Sequence, residues 1–229
     1  NLWKENFNVK KMKSSSKYLI CYDNETGGLP SKDKPAFDAI PLIEIAFAII
    51  DMEKLEICEE VSMILPRDYK EGLSYSAEAE AVHGITESIQ NEKAISLKEA
   101  YKKCLEIFKR YKNPRQLCTL CGHNIVGFDN AFLENFFKFM GDDLSKYVKF
   151  SVDTMQLSHM AYTESENYQL HTICDKEGID LVNAHRAGDD TYANALLMIN
   201  FVKKLRGEGT TAEQDGMTVK NPFREKFAL

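Results

Sequence analysis

The sequence of 229 residues contains no run of about 18 apolar residues, the length that a membrane-spanning helix needs. Its first 17 residues are polar and lysine-rich, and they lack the apolar centre of a secretory signal. Its six cysteines lie mostly in apolar segments, so we expect reduced thiols in a cytoplasmic protein. Cys118 and Cys121 form a single C-x-x-C without the second ligand pair that a zinc module requires. The chain also lacks a phosphate-binding G-x-x-x-x-G-K-[ST] loop.

Positive charge is scarce as well. The chain has 29 lysines and arginines against 35 acidic residues, a net charge of −6. Residues 1–17 carry +4 and residues 203–229 carry +2, which leaves −12 for the part between them. Such an acidic body is poorly suited to hold long duplex nucleic acid through its phosphates.

The order of apolar segments predicts three parts: a basic tail over 1–16, one α/β domain over 17–204, and a C-terminal tail over 205–229 that is disordered or docks a partner. Apolar runs predict five strands, at Tyr18–Asp23, Leu42–Asp51, Leu55–Leu65, Leu117–Cys121 and Phe150–Asp153. Helical spacing predicts helices at Leu97–Tyr111, Asn130–Met140, Thr154–Ala161, Gln169–Glu177 and Asp189–Leu205. Antiparallel strands followed by alternating strands and helices indicate a mixed sheet covered by helices.

Two carboxylates end the first predicted strand. Asp23 and Glu25 are two residues apart, so in an extended chain they point to the same face. Carboxylates this close repel each other unless a cation joins them, and Mg²⁺ or Mn²⁺ prefers such oxygen ligands. A solvated acidic turn is the alternative for this pair alone.

Two later segments carry further candidates. Asp129 follows the fourth strand where a loop enters a helix, a place where an N-cap aspartate is also common. His185 precedes the last helix, and its ordinary pKa of about 6.5 suits proton transfer near neutral pH, although a packed histidine is the default. Asp189 is the better N-cap candidate of that helix, which leaves Asp190 to point into a site.

Together the three segments resemble the motifs of the DEDDh family, the DnaQ-like 3′→5′ exonucleases. Asp23, Glu25 and Thr26 match D-x-E-T, and His185 and Asp190 match H-x4-D. The second motif, H-N-x-x-F-D, is matched in kind by residues 123–129, with one extra residue before the phenylalanine. The resemblance covers about residues 17–204 and includes the shorter segments 43–46, 82–86 and 152–154.

The resemblance implies a ribonuclease-H-like fold, with a five-stranded mixed sheet flanked by helices. It implies two divalent ions, Mg²⁺ or Mn²⁺, about 3.5–4 Å apart. Four carboxylates would hold them and His185 would be the general base, so the predicted catalytic residues are Asp23, Glu25, Asp129, His185 and Asp190. Predicted contacts to the terminal nucleotide come from Thr26, Gly27, Gly28, Leu29, Asn124 and Phe128.

The implied reaction is hydrolysis of terminal phosphodiesters at single-stranded or frayed DNA 3′ ends, which releases nucleoside 5′-monophosphates. DNA replication proofreading or repair is the expected setting, and proofreading would require a DNA polymerase partner. The alternatives are an exoribonuclease that acts on RNA ends or short oligoribonucleotides, and a non-catalytic nucleic-acid-binding module. The polar segment Pro30–Ala39, which contains two prolines, is predicted to be a mobile loop near the cleft.

Overall fold

The computed structural model describes residues 17–112, 116–181 and 186–207. The strands are β1 (Tyr18–Thr26), β2 (Leu42–Asp51), β3 (Glu56–Ile64), β4 (Cys118–Gly122) and β5 (Val148–Asp153). The helices are α1 (Ala77–His83), α2 (Glu87–Lys93), α3 (Leu97–Tyr111), α4 (Asp129–Phe139), α5 (Thr154–Ala161), α6 (Leu170–Lys176) and α7 (Ala187–Arg206), with a short 3-10 helix at Leu144–Lys146.

The five strands form one sheet in the order β3-β2-β1-β4-β5. The pairs β3–β2 and β2–β1 are antiparallel, whereas β1–β4 and β4–β5 are parallel. The carboxyl ends of β1, β4 and β5 therefore meet at one edge of the sheet, which is where open α/β sheets bind ligands. The predicted mixed five-stranded sheet is confirmed.

Alternation along β1 decides which side chains face which layer of helices. Ile20 and Tyr22 pack in a core cluster with residues of α3 and α4. Leu19 and Cys21 pack on the opposite face, in a cluster with residues of α7. Side chains two apart share a face, so Asp23 and Glu25 continue the row that looks toward α7.

Most predicted elements are confirmed, and β2, α3 and α5 have the predicted bounds. The first strand is longer than predicted, because its pairing with β2 continues to Thr26. Helices α1 and α2 were not predicted, since seven residues are too few to show a helical period. Their local signals are the N-caps Ser76 and Thr86, whose hydroxyls accept backbone N–H groups. The predicted tails lie outside the described residues except for 205–207.

The segment Pro30–Ala39 is anchored at its end, so the prediction of a mobile loop is wrong there. Phe37 is fully buried, and its ring stacks on Tyr69 with 5.0 Å between centroids. The Phe37 N–H donates to the Ile40 carbonyl at 2.8 Å, and the Ser74 N–H donates to the Ala39 carbonyl at 2.7 Å. Phe37 and its buried neighbour Ala36 thus fix the segment to the core.

All six cysteines are free thiols, as predicted, and only Cys58 is exposed. Cys118 and Cys121 lie three apart in β4, so they point to opposite faces and cannot form a zinc ligand pair. No helix within the described residues is long and apolar enough to span a membrane.

Candidate active site

Three of the predicted carboxylates meet at the carboxyl edge of the sheet. Asp23 and Glu25 come from the end of β1, and Asp190 comes from the first turn of α7. One ligand oxygen from each lies within 4.8 Å of the others, and all three residues are half-buried. The alternation of β1 and the packing of α7 on the same face explain why residues so distant in sequence converge.

Asp129, the fourth predicted carboxylate, begins α4 beside this group. It is buried, and its Oδ1 accepts the backbone N–H of Asn24 at 3.1 Å. The Asn24 amide in turn donates to the Asp129 carbonyl at 3.2 Å. Asp129 is not the N-cap, because the cap position is Phe128 and has no side-chain hydrogen bond. These contacts fix Asp129 against β1, although it lies outside the 4.8 Å group.

The carboxylates disturb each other's ionisation. Burial, followed by the charges of Asp129, Glu25 and Asp190, raises the pKa of Asp23 well above its usual range. Burial and the charge of Asp190 raise the pKa of Glu25 to about 8. Burial also raises the pKa of Asp129 to about 8, against the lowering effect of its backbone hydrogen bonds. A site that repels its own negative charge fits a divalent cation with oxygen ligands, and Asp23, Glu25, Asp129 and Asp190 would hold it.

A fifth acidic residue adds to this charge. Glu44 on β2 is paired directly with Glu25 on β1, and its side chain is 2% exposed. Its Oε1 accepts from the Ser62 hydroxyl at 2.5 Å and lies 3.5 Å from Nη2 of Arg186. The charge of Arg186 lowers the pKa of Glu25, although less than burial raises it. Glu44 therefore connects the residue that precedes α7 to the strand beside the site.

The start of α7 differs from the prediction. Arg186 is the N-cap residue, and both Asp189 and Asp190 lie in the first turn of the helix. The prediction that Asp189 caps this helix is wrong, because the backbone becomes helical at Ala187. His185, the predicted general base, lies outside the described residues.

Asp153, at the end of β5, organises the loop of the second motif. Its carboxylate accepts the backbone N–H groups of Asn124 and Val126, and those of Met155 and Gln156 at the start of α5. Asn124 has a positive φ of 62°, a conformation that this anchored loop imposes. The sequence indicated Asp153 only as part of a short family-like segment, without a role. The pairing of β4 with β5 brings Asp153 beside the loop that follows β4.

The predicted substrate-binding residues separate into two groups. Leu29 and Asn124 line a cavity of about 1060 Å³ that we call the Tyr168 cleft. Its wall also includes His123, Met155, His159, Tyr168, His171 and Asp190. Because Asp190 belongs to both, the cleft is continuous with the carboxylate group.

The other predicted contacts have structural explanations of their own. The Thr26 hydroxyl donates to the Gly28 carbonyl at 2.9 Å and shapes the turn after β1. A Cβ at Gly27 would lie 2.4 Å from Cγ of Pro41, so only glycine fits there. Phe128 packs on Phe132, with 5.2 Å between ring centroids. None of these four residues is part of the wall of the Tyr168 cleft, and their contacts with a nucleotide stay predictions.

The exonuclease family model RNase_T matches residues 20–198, which contain every predicted site residue. The chain belongs to this exonuclease family. Within it, the DEDDh motifs and the arrangement of their carboxylates identify a DEDDh exonuclease domain with the ribonuclease-H-like fold.

One sequence relative and two solved structures show how far the likeness extends. The PolC-type DNA polymerase III of Bacillus cereus is 34% identical over 104 residues, which are 45% of this chain and 7% of that protein. The zinc-bound complex of Escherichia coli ExoI with single-stranded DNA has a TM-score of 0.66 at 21% identity, covering 83% of this chain and 41% of that one. The nuclease domain of 3′hExo, a DEDDh family member bound to rAMP, has a TM-score of 0.66 at 16% identity and covers 90% and 96%. At these identities the two structures show the fold alone.

Proposed function

We propose that this protein is a metal-dependent 3′→5′ exonuclease that removes nucleoside 5′-monophosphates from single-stranded or frayed DNA ends. The observation that carries the proposal is the group formed by Asp23, Glu25 and Asp190 at the end of an open cleft. Three half-buried carboxylates in one place, of which Asp23 and Glu25 have raised pKa values, have no evident structural purpose. They suit a site that binds divalent cations together with a phosphodiester.

Five residues have roles in the proposed mechanism. The four carboxylates, Asp23, Glu25, Asp129 and Asp190, hold two ions, Mg²⁺ or Mn²⁺. When bound, such ions neutralise phosphate charge and favour ionisation of the attacking water. His185 takes the proton of that water as its oxygen bonds to phosphorus. The bond from phosphorus to the 3′ oxygen of the preceding nucleotide then breaks, and that oxygen takes a proton from solvent.

DNA is the favoured substrate because the sequence relative is a DNA polymerase and one structural neighbour holds single-stranded DNA. Proofreading, with a DNA polymerase as partner, or repair would use this activity. The second candidate is an exoribonuclease acting on RNA ends or short oligoribonucleotides. It is supported by the rAMP-bound neighbour, which matches this chain over nearly its whole length. The chain spans 7% of the length of the polymerase, so activity and partners are proposed for this domain itself.

The test uses 5′-labelled single-stranded DNA, single-stranded RNA and mismatched duplex DNA, each with Mg²⁺, Mn²⁺ or EDTA. We expect a ladder that shortens from the 3′ end, requires metal, and is abolished by Glu25→Gln. The control is Glu92→Gln, which makes the same change at an exposed position on α2 and leaves the ladder intact.

The labelled products also separate the candidates. Preferential degradation of RNA would replace DNA with the exoribonuclease alternative. Intact substrates in every condition would refute the exonuclease proposal in favour of a binding module. A His185→Ala variant with full activity would remove the general base from the mechanism, since loss of such a base lowers rates by about 10²–10⁴-fold.

A further inference from the structure

The Tyr168 cleft is larger than one nucleotide requires. Its volume of about 1060 Å³ is slightly above the roughly 300–1,000 Å³ usual for small-molecule pockets. Its wall combines Leu29 after β1, Asn124 after β4, His159 on α5 and Tyr168 before α6. Leu29 and Asn124 are predicted to contact the terminal nucleotide. The wall formed by α5 and Tyr168 is then available to the nucleotides that precede it.

An aromatic platform lies on that wall. The rings of His159 and Tyr168 stack with 3.4 Å between centroids and 25° between planes. His159 is exposed, Tyr168 is half-buried, and both line the cleft, so the pair is accessible to a ligand there. A flat aromatic surface of this kind is what nucleobases stack on in proteins that bind single strands.

The platform is held in place before any ligand arrives. The Tyr168 hydroxyl donates to the Tyr162 carbonyl at 2.7 Å. The Tyr168 carbonyl accepts from Nε2 of His123 at 2.7 Å, and Nδ1 of His123 lies 3.1 Å from the Thr154 hydroxyl. His123, from the second motif, thus fastens the platform to β4 and α5. Preorganisation of this kind lowers the entropy lost on binding.

Charge makes stacking the main source of affinity in this cleft. None of the described residues that form its wall is lysine or arginine, and Asp190 contributes a negative charge. Burial lowers the pKa of His123, which keeps that imidazole neutral near pH 7. Phosphate neutralisation by side chains is therefore weak here, and base stacking and apolar contact with Met155 and Leu29 take its place.

We infer that the His159–Tyr168 platform stacks with nucleobases that precede the terminal nucleotide, which selects single-stranded substrates with unpaired bases near the 3′ end. This inference rests on the proposed function. It also implies binding that is tolerant of sequence, because every base has a face to stack. Affinity should depend weakly on salt. The slope of log K against log salt concentration is about −0.7 for each phosphate that side chains neutralise, and few phosphates are neutralised in this cleft.

The experiment compares two substrates with the full chain and Mn²⁺. The p-nitrophenyl ester of thymidine 5′-monophosphate has a terminal nucleotide but no preceding base. Single-stranded dT8 has a terminal nucleotide and seven preceding bases. We expect His159→Ala to raise KM for dT8 by about 5- to 150-fold, which is the equivalent of the roughly 1–3 kcal/mol of one base–aromatic stack. KM for the ester and kcat for both substrates should stay within about twofold.

Two further variants separate stacking from a structural effect. His159→Phe keeps an aromatic ring and should restore KM for dT8. Phe150→Ala removes an aromatic ring that is 54% exposed on β5, outside the wall of the Tyr168 cleft. This variant should leave KM unchanged for both substrates. An unchanged KM for dT8 in His159→Ala, or an equal rise for both substrates, would overturn the inference. If the unmodified protein hydrolysed neither substrate, the proposed function itself would fail.

Discussion

At the scale of single residues, the site is built from charges held where ionisation is unfavourable. Burial and Asp190 raise the pKa of Glu25 to about 8, whereas a glutamate in an unfolded chain ionises near 4.5. Below pH 4.5 the residue is protonated in both states and contributes no penalty. Between 4.5 and 8 the unfolded chain releases its proton first, so the metal-free fold loses stability as pH rises.

Replacing Glu25 by glutamine should therefore stabilise the protein while abolishing turnover. In EDTA at pH 8 we expect Glu25→Gln to have a higher Tm than the unmodified protein, by about 2–4 °C for each kcal/mol of repulsion removed. The difference should disappear below pH 4.5, where the glutamate is protonated in both the folded and the unfolded chain. Thermal unfolding across this pH range measures it, and Glu92→Gln is the control. A Tm that falls at pH 8 would show that Glu25 is not repelled.

Protons and divalent ions should compete for the same oxygens. Glu25 and Asp129 both have a pKa raised to about 8, so at pH 6 a cation must displace protons from them. We expect the apparent Kd for Mn²⁺ to fall between pH 6 and 8, by up to about tenfold per pH unit for each proton released, and to level above that. Calorimetric titration in buffers of different ionisation enthalpy counts the protons. A Kd independent of pH would contradict this assignment.

At the scale of elements, Asp153 joins a strand, a loop and a helix through four backbone N–H groups. Asp153→Ala removes all four acceptors, and a lost N-cap alone lowers stability by about 0.5–2 kcal/mol. With the loop bonds included, we expect Tm to fall by about 5–10 °C and kcat to fall because Asn124 loses its position. Asp153→Asn should lie between. Activity and Tm equal to those of the unmodified protein would show that the loop keeps its conformation without the Asp153 carboxylate.

The turn after β1 should tolerate no side chain at Gly27. A Cβ added at Gly27 would clash with Pro41. The Gly27 N–H donates to the Pro41 carbonyl and the Gly27 carbonyl accepts from the Ser76 N–H, so the backbone cannot shift freely. We expect Gly27→Ala to lower stability by about 1–3 kcal/mol. Gly188→Ala is the matched control, since that position in α7 faces open space and should gain about 0.5 kcal/mol. Denaturant unfolding of both variants checks the difference, and equal midpoints would contradict it.

Elements with a long periodic apolar pattern were predictable from the sequence. The bounds of β2 and α3 agree with their patterns because burial of apolar residues determines both. Helices α1 and α2 escaped prediction because capping and packing, rather than an apolar period, define them. The anchoring of Phe37 also escaped, since one apolar residue in a polar stretch gives no period.

The proximity of Asp23, Glu25 and Asp190 was predictable because three motifs occur in the right order. Their surroundings were not, since each depends on residues that only folding brings together. The contact between Glu44 and Arg186 spans 142 residues, and the platform pairs residues from α5 and the loop before α6. Neither pair has a local pattern that could announce it. The sequence therefore predicts the residues with evident chemistry but not the partners that position them.

At the scale of the whole molecule, the fold protects its thiols unequally. Cys58 on the edge strand β3 is exposed, and the other five cysteines are buried. We expect one fast-reacting thiol toward a disulfide reagent in the native protein and six after denaturation. Cys58→Ser should abolish the fast phase. A second fast thiol in native buffer would mean that part of the core opens more readily than its packing implies.

The carboxylate group also couples activity to the order in which the chain is made. Asp23 and Glu25 lie on the first strand, whereas Asp190 lies on the last described helix, so nearly the whole domain separates them in sequence. A chain still emerging from the ribosome has the first two acids but lacks the third until α7 is released. Under the proposed function, a chain that ends before α7 lacks one metal ligand, so synthesis itself sets the time at which the nuclease becomes active.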